Sequence, residues 1–168
     1  MSAEKHGLAA ASYQPQRPDW TIEQNWQHYS AEEHATWKTL FERQSRLLPG
    51  RACDAFMQGL QALAMSAEHI PNFEQLSEEL MRHTGWQVVA VPGLVPDEVF
   101  FDHLAHRRFP AGQFIRRSDQ LDYLQEPDVF HDVFGHVPML MHPVMADFIQ
   151  AYGLGGLKAQ SLGLLDQL

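Results

Sequence analysis

Two histidines five positions apart, His131 and His136, stand in the stretch Glu126-Pro127-Asp128-Val129-Phe130-His131-Asp132-Val133-Phe134-Gly135-His136-Val137-Pro138. Imidazole is the commonest protein ligand for a transition metal, and two imidazoles can share an ion if their nitrogens converge. A continuous α-helix prevents that, because a five-residue step turns about 500° and leaves the side chains about 140° apart. The four-residue step of the His-Glu-x-x-His zinc motif leaves only about 40°. Convergence therefore requires the helix to break between or at the pair. Gly135 is a natural terminator, and Pro138 pushes Val137 out of the α region. On this reading His131 projects from a helix and His136 turns back toward it from just past the end. Capping and surface roles fit the same spacing, so the pair alone leaves both readings open.

The surrounding elements are mainly helical. Ser30-Ala31-Glu32-Glu33 has the form of a capping box, followed by a stripe of Trp37, Leu40, Phe41, Leu47 and Leu48 that Pro49-Gly50 stops. A second helix carries Phe56, Met57, Leu60 and Leu63, and a third runs from Asn72 through Phe73, Leu76 and Leu80 to Gly85. Trp86 to Val91 is short and β-branched, which predicts a strand. Pro96-Asp97 opens another short helix, and Phe109 to Arg117 reads as loop or short strand. Pro127-Asp128 starts the helix of the histidine pair. Pro143 suits the first turn of a last helix, which Gly153 should close. Residues 1–20 are polar, contain Pro15 and Pro18, and read as a loose tail. The expected class is mainly α, an α+β fold with a few short strands.

Composition narrows the functions. Hydrophobic residues at 45% and charged residues at 20% describe a globular protein of one core. A net charge of −9, without basic clusters, argues against a nucleic-acid binder. No apolar run approaches the roughly 20 residues of a membrane span, so no membrane role is expected. No secretory signal opens the chain, and a single cysteine, Cys53, fits a reducing cytoplasm. Cys53 itself is expected as a small buried residue.

Leu121-Asp122-Tyr123-Leu124-Gln125-Glu126-Pro127-Asp128, with the histidine pair and Val137-Pro138, resembles the iron-site signature of the pterin-dependent aromatic amino acid hydroxylases. Val91-Pro92-Gly93-Leu94-Val95-Pro96 and Phe109 to Arg117 resemble the two preceding segments of that family, in the same order. The likeness runs from about Tyr29 to Ala159 and is closest to the short bacterial members that act on phenylalanine.

The resemblance implies hydroxylation of L-phenylalanine to L-tyrosine with O₂ and tetrahydropterin at a non-haem Fe(II) held by two histidines and a carboxylate. His131 and His136 match the metal histidines. Arg116 matches the arginine that grips the substrate carboxylate, a task for which a planar guanidinium is suited. Asp128 matches the residue that holds Arg116, and Tyr123 and Glu126 match residues lining the cavity between pterin and metal. Asp132 matches an acidic residue near the pterin; on a helix it points about 100° away from His131, which makes it a poor ligand for the same ion. Gly93, Leu94, Val95 and Phe100 match the pterin site.

The sequence departs from the family in one respect. The third ligand there is a glutamate well downstream, and no glutamate follows Glu126 here. Residues 21–168 are therefore expected to be the N-terminal portion of a catalytic domain. Such a piece would expose apolar surface around Leu162, Leu164 and Leu165 and self-associate, whereas the complete enzyme is expected to be a monomer. Asp128, Asp147 and Asp166 are the carboxylates that could stand in. Two other readings stay open. One is a zinc hydrolase built on His131 and His136, with His103 and His106 as further ligands, though these two read more naturally as exposed helix residues. The other is a non-catalytic helical module that binds through the Leu162 to Leu165 face.

Overall fold

The computed structural model describes residues 17–165. Five α-helices, α1 (Ala31–Leu47), α2 (Asp54–Ala62), α3 (Phe73–His83), α4 (Asp97–Ala105) and α5 (Pro143–Ser161), surround one parallel pair of strands, β1 (Gln87–Val91) and β2 (Arg108–Gly112). The mainly helical class expected from the sequence is the class observed.

Local signals set the helix starts. Ser30 Oγ accepts from Glu33 N while Glu33 Oε2 accepts from Ser30 N at 2.7 Å, which completes the capping box of α1. Asn72 Oδ1 accepts from Glu74 N and Gln75 N and starts α3. Gly85, at φ +73°, ends that element as only a residue without Cβ does easily. Trp37, Leu60, Phe73, Leu80, Trp86 and Leu104 are buried together in the core. Leu47 and Met57, expected on apolar faces, are instead exposed, because each lies at the edge of its stripe. Cys53 is also exposed, at the N-terminus of α2 rather than in the core.

A β–α–β unit organises the middle of the chain. β1 and β2 pair in register from Gln87 opposite Arg108 to Val91 opposite Gly112. Parallel neighbours need a crossover, and α4 supplies it. Pro110 sits in β2, an edge strand, where its missing N–H leaves no ladder bond broken. The free edge of β1 is met by Ile22, whose N–H donates to Ala90 O at 2.9 Å.

Residues 1–16 of the expected tail lie outside the described residues. Residues 17–20 turn against the fold: His103 Nε2 donates to Asp19 O at 2.8 Å. His103, expected on the surface, is fully buried. Its Nδ1 accepts from Arg108 Nε at 3.0 Å, and a guanidinium can only donate, so the ring is the neutral Nε2–H tautomer. Burial holds its pKa below the ordinary 6.5. The folded chain therefore resists a proton that the unfolded chain accepts. This stability is fully present above pH 6.5 and is lost as pH falls from there through the depressed folded-state value. Urea midpoints followed from roughly pH 8 to pH 5 should fall along this limb. The slope should shrink in His103→Gln, which stays neutral throughout.

Gly153 does not close α5; the helix continues to Ser161, and Gly163 at φ +68° follows. The glycine is there for proximity. A Cβ on Gly153 would overlap the Ala105 backbone nitrogen and stand 2.7 Å from Leu104 Cβ, and one on Gly156 would overlap the Phe101 ring. Gly153→Ala should lower stability by about 1–3 kcal/mol through overpacking, more than the ~1 kcal/mol of helix propensity that alanine adds. A shifted urea midpoint at constant slope would show it; an unchanged midpoint would mean that the two helices separate freely. On the other side of α5, Val144 and Phe148 are 69% and 60% exposed, whereas Tyr152, 46% exposed, packs edge-on against Phe101 of α4. Leu162 and Leu164 are exposed as well, whereas Leu165 is half-buried.

Candidate active site

Phe130–Phe134 forms a π-helical turn within an otherwise helical segment. A π turn closes its hydrogen bond over five residues, about one more than an α turn needs to come round. That residue is what the five-position spacing of the histidines requires. His131 Nε2 and His136 Nε2 stand 3.3 Å apart. The helix break expected at Gly135 is absent: Gly135 is itself helical at φ −75° and ψ −36°. Widening of the backbone, not termination, brings the two rings together. Pro138 then opens a short 3₁₀ segment, Val137–Met141, rather than simply ending the helix.

Tertiary packing holds this unusual turn. The Phe130 and Phe134 rings stack with centroids 4.8 Å apart, and Trp37, Phe41 and Phe56 meet the pair edge-on. The core thus fixes the inner face while the histidines occupy the outer one. The His136 ring leans on Phe109 with centroids 5.6 Å apart. Burial against its neighbours, with His131 beside it, lowers its pKa and favours the neutral form that a metal needs.

Asp128, just before the turn, is fully buried and accepts four hydrogen bonds. Arg116 Nε and Nη2 reach its two oxygens as a fork, both at 2.9 Å. Arg116 N donates to Oδ2 at 2.9 Å and His131 N to Oδ1 at 3.0 Å. Burial alone would raise the carboxyl pKa, but these donors outweigh it and hold Asp128 below the ordinary carboxylate range. Arg116 Nη1 donates to Leu121 O at 3.3 Å, and the guanidinium lies 6.0 Å from the Phe130 ring centroid. A cleft of about 350 Å³ is lined by Arg116, Tyr123, Glu126 and His131 among others. A larger groove of about 860 Å³, between the N-terminal segment and α3, shares no lining residue with it.

The other expected site residues divide. A Cβ on Gly93 would lie 3.7 Å from Glu126 Oε2, so these two face each other. Leu94 and Tyr123 are exposed, Val95 is half-buried, and Phe100 packs edge-on to Phe101 against the core. Asp132 Oδ2 accepts from Gly112 N at 2.8 Å, and burial pushes its pKa up to about 6. Among the described residues, no three of His, Cys, Asp and Glu converge as a metal site. Of the stand-in carboxylates, Asp128 is taken by Arg116 and Asp147 by Arg107. Asp166 lies outside the described residues. His103 is enclosed by Arg108 and Asp19 and unavailable as a ligand, and His106 bonds Asp102 O on the surface.

Residues 12–166 match the biopterin-dependent aromatic amino acid hydroxylase family. The chain belongs to that family. The phenylalanine-4-hydroxylase of Ralstonia nicotianae is 68% identical over 152 residues, which are 90% of this chain and 49% of that protein. A crystal structure of the Chromobacterium violaceum phenylalanine hydroxylase, with bound iron(III) and oxidized cofactor 7,8-dihydrobiopterin, superposes with a TM-score of 0.85. It is 58% identical and covers 92% of this chain and 56% of its own. The iron- and phenylalanine-bound structure of the same enzyme gives 0.81 at 56% identity, covering 87% and 52%. The chain spans about half the length of the curated relatives it matches.

Within this hydroxylase fold, several residues that hold the site have no motif of their own. Gly112 admits Asp132 because a Cβ there would sit 3.4 Å from Asp132 Oδ2 and 3.3 Å from Pro127 O. A glycine ending a strand pattern was the available signal for such a close approach. Gly59 on α2 is packed so that a Cβ would overlap the carbonyl oxygen of Pro138, two residues beyond His136. Leu121 opens the signature stretch, but its contact with Arg116 is made by its carbonyl, which no side-chain pattern can announce.

Proposed function

We propose that this hydroxylase-family chain carries the histidine, arginine and pterin-facing part of a phenylalanine 4-monooxygenase. The reaction is conversion of L-phenylalanine to L-tyrosine with O₂ and tetrahydropterin at non-haem Fe(II). The observation that carries the reading is the cleft in which His131, one of two convergent imidazoles, stands with an arginine fixed by a buried aspartate.

The donor set fits a metal. Nitrogens 3.3 Å apart suit adjacent positions around one ion with bonds of about 2.1 Å. His131 and His136 would hold Fe(II), which together with the reduced pterin supplies activation of O₂. The described residues add no third ligand, which leaves the rest of the coordination sphere open to water, O₂ and further donors.

The chain's own groups would bind and orient. Arg116 spends Nε and one Nη2 hydrogen on Asp128 and one Nη1 hydrogen on Leu121 O, and its two remaining N–H groups would receive the substrate carboxylate. Asp128, ionised by those contacts, keeps the guanidinium planar to the cleft and also fixes the His131 backbone, so substrate and metal share one anchor. Gly93 leaves space opposite Glu126 for a flat ring, with Leu94, Val95 and Phe100 as its apolar surroundings. Asp132 clamps the end of β2 through Gly112 N, and burial pushes its pKa up to about 6.

No helix among the described residues is long and apolar enough to cross a membrane. We place the protein in the cytoplasm, in keeping with its single free cysteine. The α5 stripe supports self-association of this chain.

The test is tyrosine formation from L-phenylalanine by the chain with Fe(II), O₂ and tetrahydropterin. Its ability to bind L-phenylalanine is measured in parallel by calorimetry. Amino acid binding that is lost in Arg116→Ala supports the reading. Absence of both turnover and binding defeats it.

A further inference from the structure

The segment that carries Arg116 is held from two sides, and its residues alternate between them. Gly112 N donates to Asp132 Oδ2, Val129 N donates to Phe114 O at 2.8 Å, and Arg116 N donates to Asp128 Oδ2. Residues 112, 114 and 116 are thus tied to the stretch that contains His131. Gln113, at the bend that follows β2, faces the other way. Tyr29 Oη donates to Gln113 O, and Gln113 Nε2 donates to Gln24 O at 2.8 Å.

We propose that Tyr29 is a positioning residue for Arg116, acting through Gln113. This rests on the reading of Arg116 as the group that receives the substrate carboxylate.

Tyr29 is suited to the task by its own setting. It precedes Ser30, whose capping box fixes the entry of the chain into α1. Its ring packs on His34, four positions into the helix frame, with centroids 5.8 Å apart, the arrangement of a hydrophobic staple. The phenol therefore cannot swing without disturbing the start of α1. Burial pushes its pKa up to about 12, so it stays a donor across the working range. Gln24 is equally fixed, because its side chain accepts from Phe73 N at 2.8 Å and donates to Pro71 O at 2.9 Å at the start of α3. Two helix starts thus converge on Gln113. Arg116 meets Asp128 three residues later, with Phe114 O held by Val129 N between them, so slack at Gln113 does not leave Arg116 unmoved. Neither Tyr29 nor Gln24 reaches the cleft itself.

The experiment is nitrogen-15 NMR of the arginine side chains in the full chain and in Tyr29→Phe, which removes one oxygen and keeps the staple. Solvent exchange of the Arg116 Nε–H should accelerate about fivefold or more in the variant, as expected for loss of one buried hydrogen bond. The Arg107 Nε–H, bonded to Gln150 at 2.9 Å on α5, should keep its wild-type rate. Unchanged Arg116 exchange overturns the proposal, and so does equal acceleration of both arginines, which would mark a merely global loss of stability. Titration of L-phenylalanine against phenethylamine, which lacks the carboxylate, separates the underlying reading. If neither ligand moves the Arg116 resonance, the role of Arg116 in binding fails, whatever Tyr29→Phe does to exchange.

Discussion

His131→Ala weakens Co(II) or anaerobic Fe(II) binding by more than about 100-fold, beyond the 10–100-fold that loss of an outer hydrogen-bond partner costs a metal site. The geometry argues for so large an effect. The two Nε2 atoms are 3.3 Å apart, and the described residues bring no other His, Cys, Asp or Glu group to them. A single remaining imidazole is no better than any exposed histidine. His136→Ala should therefore match His131→Ala, and the double variant should add little, because the pair acts as a unit. His83→Ala, on the exposed face of α3, is the control that should leave affinity unchanged. Calorimetric titration reads all four. Wild-type affinity in either single variant would remove the metal from this pair and with it the proposed function.

The second large effect lies outside the cleft. Gly59→Ala introduces a Cβ into the Pro138 carbonyl, with Pro138 Cα 3.0 Å away, and a backbone neighbour has nowhere to rotate. Overpacking of this kind costs about 1–3 kcal/mol, which exceeds the ~1 kcal/mol that alanine adds to an exposed helix position. The displaced Val137–Met141 segment follows His136 directly, so metal affinity should fall together with stability. Gly135→Ala is the contrasting case. A Cβ there meets nothing within 4 Å, and its backbone is already helical. That variant should fold as well as wild type or slightly better. Urea denaturation ranks the two, and metal titration of Gly59→Ala tests the coupling. If Gly59→Ala loses stability but binds metal normally, α2 supports the fold without setting the position of His136.

The parts legible in the sequence were those fixed by neighbours along the chain. The capping box at Ser30, the Asn72 cap and the turn at Gly85 are decided within four residues, and each appears where the sequence placed it. The histidine pair was legible as a pair, and its need for a non-α backbone was a geometric necessity. The form of that backbone was not legible. Gly135 and Pro138 read as stop signals, whereas the stacked Phe130 and Phe134 rings, gripped by side chains from α1 and α2, stabilise a widened turn instead. Gly153 misled in the same way. A glycine that ends a helix and a glycine that lets another helix approach are identical in sequence and differ only in what lies across from them. His103 looked like a surface histidine on a polar helix. Its partners, Asp19 and Arg108, lie 84 and 5 positions away, and only the fold brings both to one ring.

The π turn also bears on how such a site can be inherited. A π turn is an α-helix with one residue inserted. Deleting a residue between Phe130 and Phe134 would relax it to an α turn, which needs one residue fewer to come round, and would leave the later side chains close to their present bearing about the axis. Val137, Pro138 and Leu140, all buried, would keep their places in the core, and Pro138 its seat against Gly59. A lineage that lost the insertion between the two histidines would therefore exchange their five-residue spacing for a four-residue one while the end of the segment stayed in place. A widened turn with a five-residue spacing and an ordinary α turn with a four-residue spacing are thus one deletion apart on the same core.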